Sequence, residues 1–165
     1  MLDTLLAEPQ VIWTPRPIRF VVWGEPVGKA RPKTVTLPNG QISTYTPKKT
    51  RTWEGIIRDI AEQFAPPQLL DCPLRADVWF VRLKPKSARK ADLWPATKPD
   101  LDNLEKAVFD AIEKVLYTND SRIVTKRSHK VFGDRPRVVV RLAPATLADL
   151  QEAQPPALEA AERGA

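Results

Sequence analysis

Hydrophobic and polar positions follow one another along this chain in stretches whose period changes sharply. Ile18-Arg19-Phe20-Val21-Val22-Trp23 is rich in β-branched and aromatic residues and stops at Gly24, the pattern of a strand. Asn39-Gly40 is a hairpin signal, with Thr34–Leu37 and Gln41–Tyr45 as its two short arms. Trp53, Ile56, Ile57, Ile60, Ala61 and Phe64 recur at helical spacing and predict an amphipathic helix over 48–64, stopped by Pro66-Pro67. Leu74–Leu83 alternates, with Ala76/Val78/Phe80 on one side and Asp77/Trp79/Val81 on the other, and predicts a well-buried strand. A polar, basic loop covers 84–99. After Pro99, Leu101, Leu104, Val108, Ala111, Ile112 and Val115 trace a second amphipathic helix. Tyr117–Ser121 reads as a turn, Ile123–Val131 and Val138–Leu142 as strands around Gly133-Asp134-Arg135-Pro136, and 145–153 as a short helix. The order β, hairpin, α, β, α, β, β predicts an α/β (α+β) fold, a small mixed β-sheet with two main helices packed on one face. No internal repeat is visible. Residues 1–17, with Pro9, Pro15 and Pro17, read as an extended N-terminal arm, 18–142 as the folded domain, and 143–165 as an acidic Ala/Pro/Glu-rich C-terminal tail.

Composition narrows the class. A chain of 165 residues suits one domain. Its 17 prolines are about twice the usual share of roughly 5%, which favours short elements joined by rigid turns. No apolar run reaches the ~18 residues of a membrane span. The first residues, MLDTLLAEPQ, lack the basic start and apolar core of a signal peptide. Cys72 is the single cysteine, so an intramolecular disulfide and a cysteine zinc site are excluded and a reducing, cytoplasmic compartment is expected. The net charge is +6; residues 142–165 hold Asp149, Glu152, Glu159 and Glu162 against Arg163, a net of −3, which leaves +9 on residues 1–141. A basic body suits a polyanionic partner.

The candidate chemistry lies in Lys98-Pro99-Asp100-Leu101-Asp102-Asn103-Leu104-Glu105-Lys106. Asp100 and Asp102 sit at the start of the second helix. From an extended approach into the first turn, both carboxylates can point into one space and offer oxygens to a hard cation such as Mg²⁺. Lys106 follows Asp102 by four residues, so an ammonium stands on the same helical face. A plainer reading shares these residues: Asp102-x-x-Glu105 can serve as a capping box, and Asp102 with Lys106 as a surface ion pair worth only about 0.2–0.5 kcal/mol. Asp120, in the turn after the same helix, can join the two acids if the following strand runs back beside the helix start. Otherwise it is a turn residue with an Asx-type bond. Basic residues surround these acids in sequence: Lys29, Arg31 and Lys33 in one loop, Lys48, Lys49 and Arg51 at the first helix start, and Arg89, Lys90 and Lys98 in the loop before the acids. They read as a DNA-binding surface or as a solvated basic face. Trp94, in that last loop, can stack on an unpaired base or pack on its own domain or a dimer partner. Trp53 reads as core, His129 as structural and Cys72 as a small buried hydrophobe.

The stretches GEPVGKARPK (24–33), TYTPKKTRTWE (44–54) and KPDLDNLEKAVFDAIEKVLYTNDSRIV (98–124), with Lys126, resemble the RusA-type crossover-junction endodeoxyribonucleases, in that family's order. The resemblance implies a RusA-like nuclease domain in a homodimer that binds four-way (Holliday) DNA junctions. It also implies paired, Mg²⁺-dependent strand cleavage, with Mn²⁺ as a substitute, in DNA recombination and repair. It places the family's essential acids, as catalytic and metal-binding residues, on Asp100, Asp102 and Asp120, and its essential lysine on Lys106. Asn103 matches a recurrent family position. Two departures are visible: Asn119 stands where the family often has a second turn acid, and Arg122 where glutamine is common. A non-catalytic DNA-binding architectural protein is the competing reading. The absence of a Gly-rich phosphate loop disfavours a Mg²⁺ enzyme acting on small phosphorylated molecules.

Overall fold

The computed structural model describes residues 14–154. Six strands and three α-helices follow in the order β1 (Ile18–Trp23), β2 (Lys33–Thr36), β3 (Ile42–Tyr45), α1 (Lys48–Glu62), β4 (Leu74–Leu83), α2 (Leu101–Ile112), a 3-10 turn (Asp120–Arg122), β5 (Ile123–Gly133), β6 (Arg137–Pro144) and α3 (Leu147–Glu152). The main sheet has the order β1-β6-β4-β5, and β2 and β3 form a separate two-stranded sheet. β4 runs parallel to β5 and antiparallel to β6, so the sheet is mixed, as the pattern predicts. Parallel neighbours cannot be joined by a tight turn; the connection from β4 to β5 passes through α2, which lays that helix over the sheet.

β4 lies between β5 and β6 and so has both edges hydrogen-bonded. Its Ala76, Val78 and Phe80 are buried together with Trp53, Ile57 and Ala61 of α1 and Leu104, Val108 and Ile112 of α2. Each such side chain, fully buried, contributes about 1.5–3 kcal/mol. The opposite face holds a buried acid, Asp77. Arg75 donates to it through Nε (3.1 Å) and NH2 (3.0 Å), and through NH1 to Asp149 of α3 (2.8 Å), so the desolvated carboxylate is compensated.

Several boundaries differ from the sequence pattern: α1 ends at Glu62, β6 runs Arg137–Pro144 and α3 Leu147–Glu152, and three further differences have a local cause. α2 stops at Ile112, short of Val115, because Lys114 takes a left-handed conformation (φ 63°) that no helix continues through. The hairpin arms shift so that Leu37 leaves β2 and closes the turn: its N–H donates to the Gln41 carbonyl (2.8 Å), and Gly40 adopts φ 79°. β5 extends to Gly133 because it pairs with the whole length of β4. Of the expected N-terminal arm and acidic tail, residues 1–13 and 155–165 lie outside the described residues. The chain between is ordered through α3, whose first turn is closed by a capping box between Thr146 and Asp149.

Candidate active site

Two adjoining hollows open at α2. The first, of about 360 Å³, is lined by Asp102, Lys106 and Asp110 from one stripe of the helix, with Asp120, Glu105 and Lys126 around it. Asp102, Lys106 and Asp110 are four residues apart in turn, so the stripe runs about 12 Å along the helix axis. Asp120 joins it near its far end. The Tyr117 hydroxyl is shared between the Phe109 carbonyl (3.2 Å) and Asp120 Oδ1 (3.4 Å), which ties the 3-10 turn to the second half of α2. Burial first, and then the charge of Asp120, push the Tyr117 hydroxyl far above its ordinary pKa, so it remains a proton donor.

The turn that presents Asp120 is built by its neighbours. The Asx bond belongs to Asn119, whose Oδ1 accepts from Ser121 N–H at 2.9 Å. Asp71 accepts from Thr118 Oγ1 (2.6 Å) and Arg122 Nε (2.7 Å), bracing the turn from the α1–β4 connection. Apart from the Tyr117 hydroxyl on its Oδ1, the Asp120 carboxylate is thereby left for the hollow. Asn119 and Arg122, the two departures from the family pattern, are both used in this scaffold.

Asp100 occupies the second hollow, with Lys29, Arg31, Lys49, Lys98 and Asn103. It is the N-cap of α2, but its side chain makes no capping hydrogen bond. The capping box open to Asp102 and Glu105 does not form either: Glu105 pairs with Lys126 Nζ at 2.5 Å. Among the described residues, neither Asp102 nor Lys106 has an ion-pair partner, so the surface pair between them is also absent. Asp100 and Asp120 are likewise without a cationic partner there. By contrast Glu54, Asp71, Asp77 and Asp110 are all in ion pairs.

The basic residues divide by role. Lys29 lines the second hollow, but its ammonium already serves Glu54 (2.5 Å) and Asp110 (3.0 Å). Burial alone would lower its pKa; the hydrogen bonds it donates to Glu54 and Asp110 outweigh that and raise it. Its N–H also donates to the Asn103 carbonyl (2.7 Å), strapping the GKARPK loop to α2. The approach is close at Gly28, where a Cβ would stand 3.0 Å from that of Pro99 and 3.2 Å from that of Asn103. Lys49, at the start of α1, faces the second hollow, while Lys33, Lys48 and Arg51 are exposed. Lys90 is exposed, and Arg89 is paired with Asp92 at 3.0 Å. Trp53 is core as expected, Cys72 is half-buried against the core, and His129 stacks on Trp79.

Asp110, Glu105 and Lys126 line the first hollow without having been singled out as site residues. Asp110 had a signal, since it continues the four-residue step from Asp102 through Lys106. Lys126 had none in spacing, because its placement depends on the parallel pairing of β5 with β4.

Residues 24–143 match the family described as Endodeoxyribonuclease RusA. The chain belongs to that family. It is also 34% identical over 135 residues to the uncharacterized protein YqaN of Bacillus subtilis (strain 168), a match covering 76% of this chain and 94% of the relative. The RusA match spans both hollows and every residue that lines them.

Family membership implies a divalent metal, and the donor chemistry fits one. Unpaired carboxylates on an open hollow suit Mg²⁺ or Mn²⁺, which keep several waters and take only one or two protein carboxylates beside substrate phosphate. A closed cage is not what these acids make: among the described residues no three acidic, histidine or cysteine side chains stand together as one ligand group. Of the three expected acids, Asp102 and Asp120 line one hollow and Asp100 the other.

Proposed function

We propose that this chain is a Mg²⁺-dependent endonuclease that resolves four-way DNA junctions as a homodimer. The observation that carries the reading is the set of unpaired charges around α2: Asp102 and Lys106 of the helix and Asp120 of the 3-10 turn on one open hollow, with Asp100 beside it. In a basic protein whose other acids are mostly neutralised locally, such carboxylates repel DNA unless a cation bridges them. Asp102 and Asp120, with Asp100 at the adjoining hollow, are the residues that would hold the ion. Bound Mg²⁺ supplies an activated water and charge to stabilise the phosphodiester transition state. Lys106, one turn beyond Asp102, neutralises charge developing on the phosphate or the leaving oxygen. Arg31, Lys49 and Lys98 line the second hollow and draw the backbone toward Asp100. A two-fold dimer presents the same site to two opposed strands of a junction.

The test is a synthetic four-way junction incubated with the protein and Mg²⁺, beside a linear duplex of the same sequence. Paired cuts in the junction, none in the duplex and none with a chelator are expected. A junction that is bound but left intact with Mg²⁺ and with Mn²⁺ would return the protein to the architectural DNA-binding class.

A further inference from the structure

A third hollow, of about 440 Å³, lies on the other side of the loop that leads into Asp100, walled by Trp94, Phe132, Pro85, Pro95, Arg82 and Thr97. Trp94 is 65% exposed and its neighbour Leu93 is 73% exposed, so the indole is not used to pack its own domain. We propose that this hollow is a nucleobase pocket, in which an unpaired base of the bound DNA stacks on Trp94. The proposal rests on the reading of the chain as a junction-cutting enzyme and adds how a branched substrate is told from a paired one.

Three features support it. The walls are aromatic and apolar with few polar groups, the usual composition of a small-ligand site and the chemistry a base face requires. The loop over 84–99 carries Lys84, Lys86, Arg89, Lys90 and Lys98 against one acid, Asp92, which Arg89 already neutralises. A second copy of the chain meeting this patch across a two-fold axis would set those cations against themselves, whereas a nucleic acid strand brings phosphates to them. The hollow is also fixed relative to the acids. Lys130 Nζ donates to the carbonyls of Thr97 (2.7 Å) and Pro99 (2.9 Å), and Arg82 NH1 to that of Lys98 (2.9 Å). Strands β4 and β5 thus clamp the three residues between the hollow and Asp100. From Trp94 to Asp100 the chain runs six residues, a span of at most about 22 Å, the length of about six stacked nucleotides at 3.4 Å each. A base on Trp94 and a phosphate beside Asp100 can therefore belong to one strand.

The experiment uses the full chain with Ca²⁺ replacing Mg²⁺ to hold cutting off. The probes are a four-way junction with 2-aminopurine at the crossover, a duplex with 2-aminopurine in a one-base bulge, and a fully paired duplex. Wild-type protein is expected to change the 2-aminopurine fluorescence of the first two. Trp94→Ala is expected to remove that change and weaken their binding between about 5-fold and 150-fold, the loss expected for one base–aromatic stack, without altering affinity for the paired duplex. Trp94→Phe should keep most of the signal. Unchanged fluorescence and affinity in Trp94→Ala would overturn the proposal. So would a shift of that variant from dimer to monomer in sedimentation, which would assign Trp94 to self-association. The bulge arm separates this from the function: a wild-type protein that never cuts junctions refutes the nuclease reading, while a Trp94-dependent bulge signal still supports the pocket.

Discussion

Lys29 shows how a single basic residue can be assigned to DNA by its sequence neighbours and to the scaffold by its contacts. Its ammonium joins Glu54 of α1 to Asp110 of α2, and removing it would leave two half-buried carboxylates facing each other. Lys29→Met should lower unfolding stability by about 1–2 kcal/mol in a urea titration, and adding Glu54→Gln should restore part of that. Its pKa is higher folded than the unfolded value of 10.5, so the stabilisation it lends is complete below that value and disappears as pH rises past the folded one. Wild-type protein should therefore lose stability above about pH 10.5 more steeply than Lys29→Met does. Arg31, Lys49 and Lys98, which face the same hollow, remain the residues that suit phosphate.

At the scale of elements, α3 is held by charge rather than by a deep apolar face. Asp149 accepts from the Thr146 hydroxyl (2.7 Å), from the Thr146 N–H (2.8 Å) and from Arg75, and these bonds lower its carboxyl from 3.8 to about 2. A depressed acid stabilises above its unfolded pKa and ceases to do so as pH falls through the folded one. Amide exchange of α3 should accelerate between about pH 4 and pH 2, ahead of the core strands, and Asp149→Asn should show fast exchange already at neutral pH. Element identity was legible in the sequence wherever period and punctuation agreed. β1 and β4 begin and end where the alternation does, and α1 and α2 begin at the predicted residues. What the pattern could not carry were interactions between distant segments. The left-handed Lys114 ends α2 early, and the Asx bond of the turn falls to Asn119 instead of Asp120. The β4–β5 pairing that brings Lys126 to Glu105 is a property of topology, not of spacing. The same holds for the candidate site: the acids and Lys106 stand out by motif, but the arrival of Asp120 on the hollow of Asp102 depends on where Tyr117 anchors the turn.

Across the whole molecule, charge is sorted by whether it is already satisfied. The Arg75–Asp77–Asp149 network and the Lys29–Glu54–Asp110 bridge join sheet, helices and loop, and consume their own charges in doing so. Asp102, Lys106 and Asp120 are left unpaired on one hollow and Asp100 lies with Arg31, Lys49 and Lys98 on the next, with an exposed tryptophan in the loop that leads into Asp100. Among the described residues, no helix is long and apolar enough to cross a membrane. The proposed division of labour, cations to hold DNA and unpaired acids to cut it, is tested most directly by one variant on one substrate. Asp102→Asn, mixed with a labelled four-way junction and Mg²⁺, should retain the wild-type gel shift while cutting falls at least about 100-fold, the scale of losing one electrostatic group at a reaction centre. Wild-type cutting by that variant would place the chemistry outside this hollow and contradict the account.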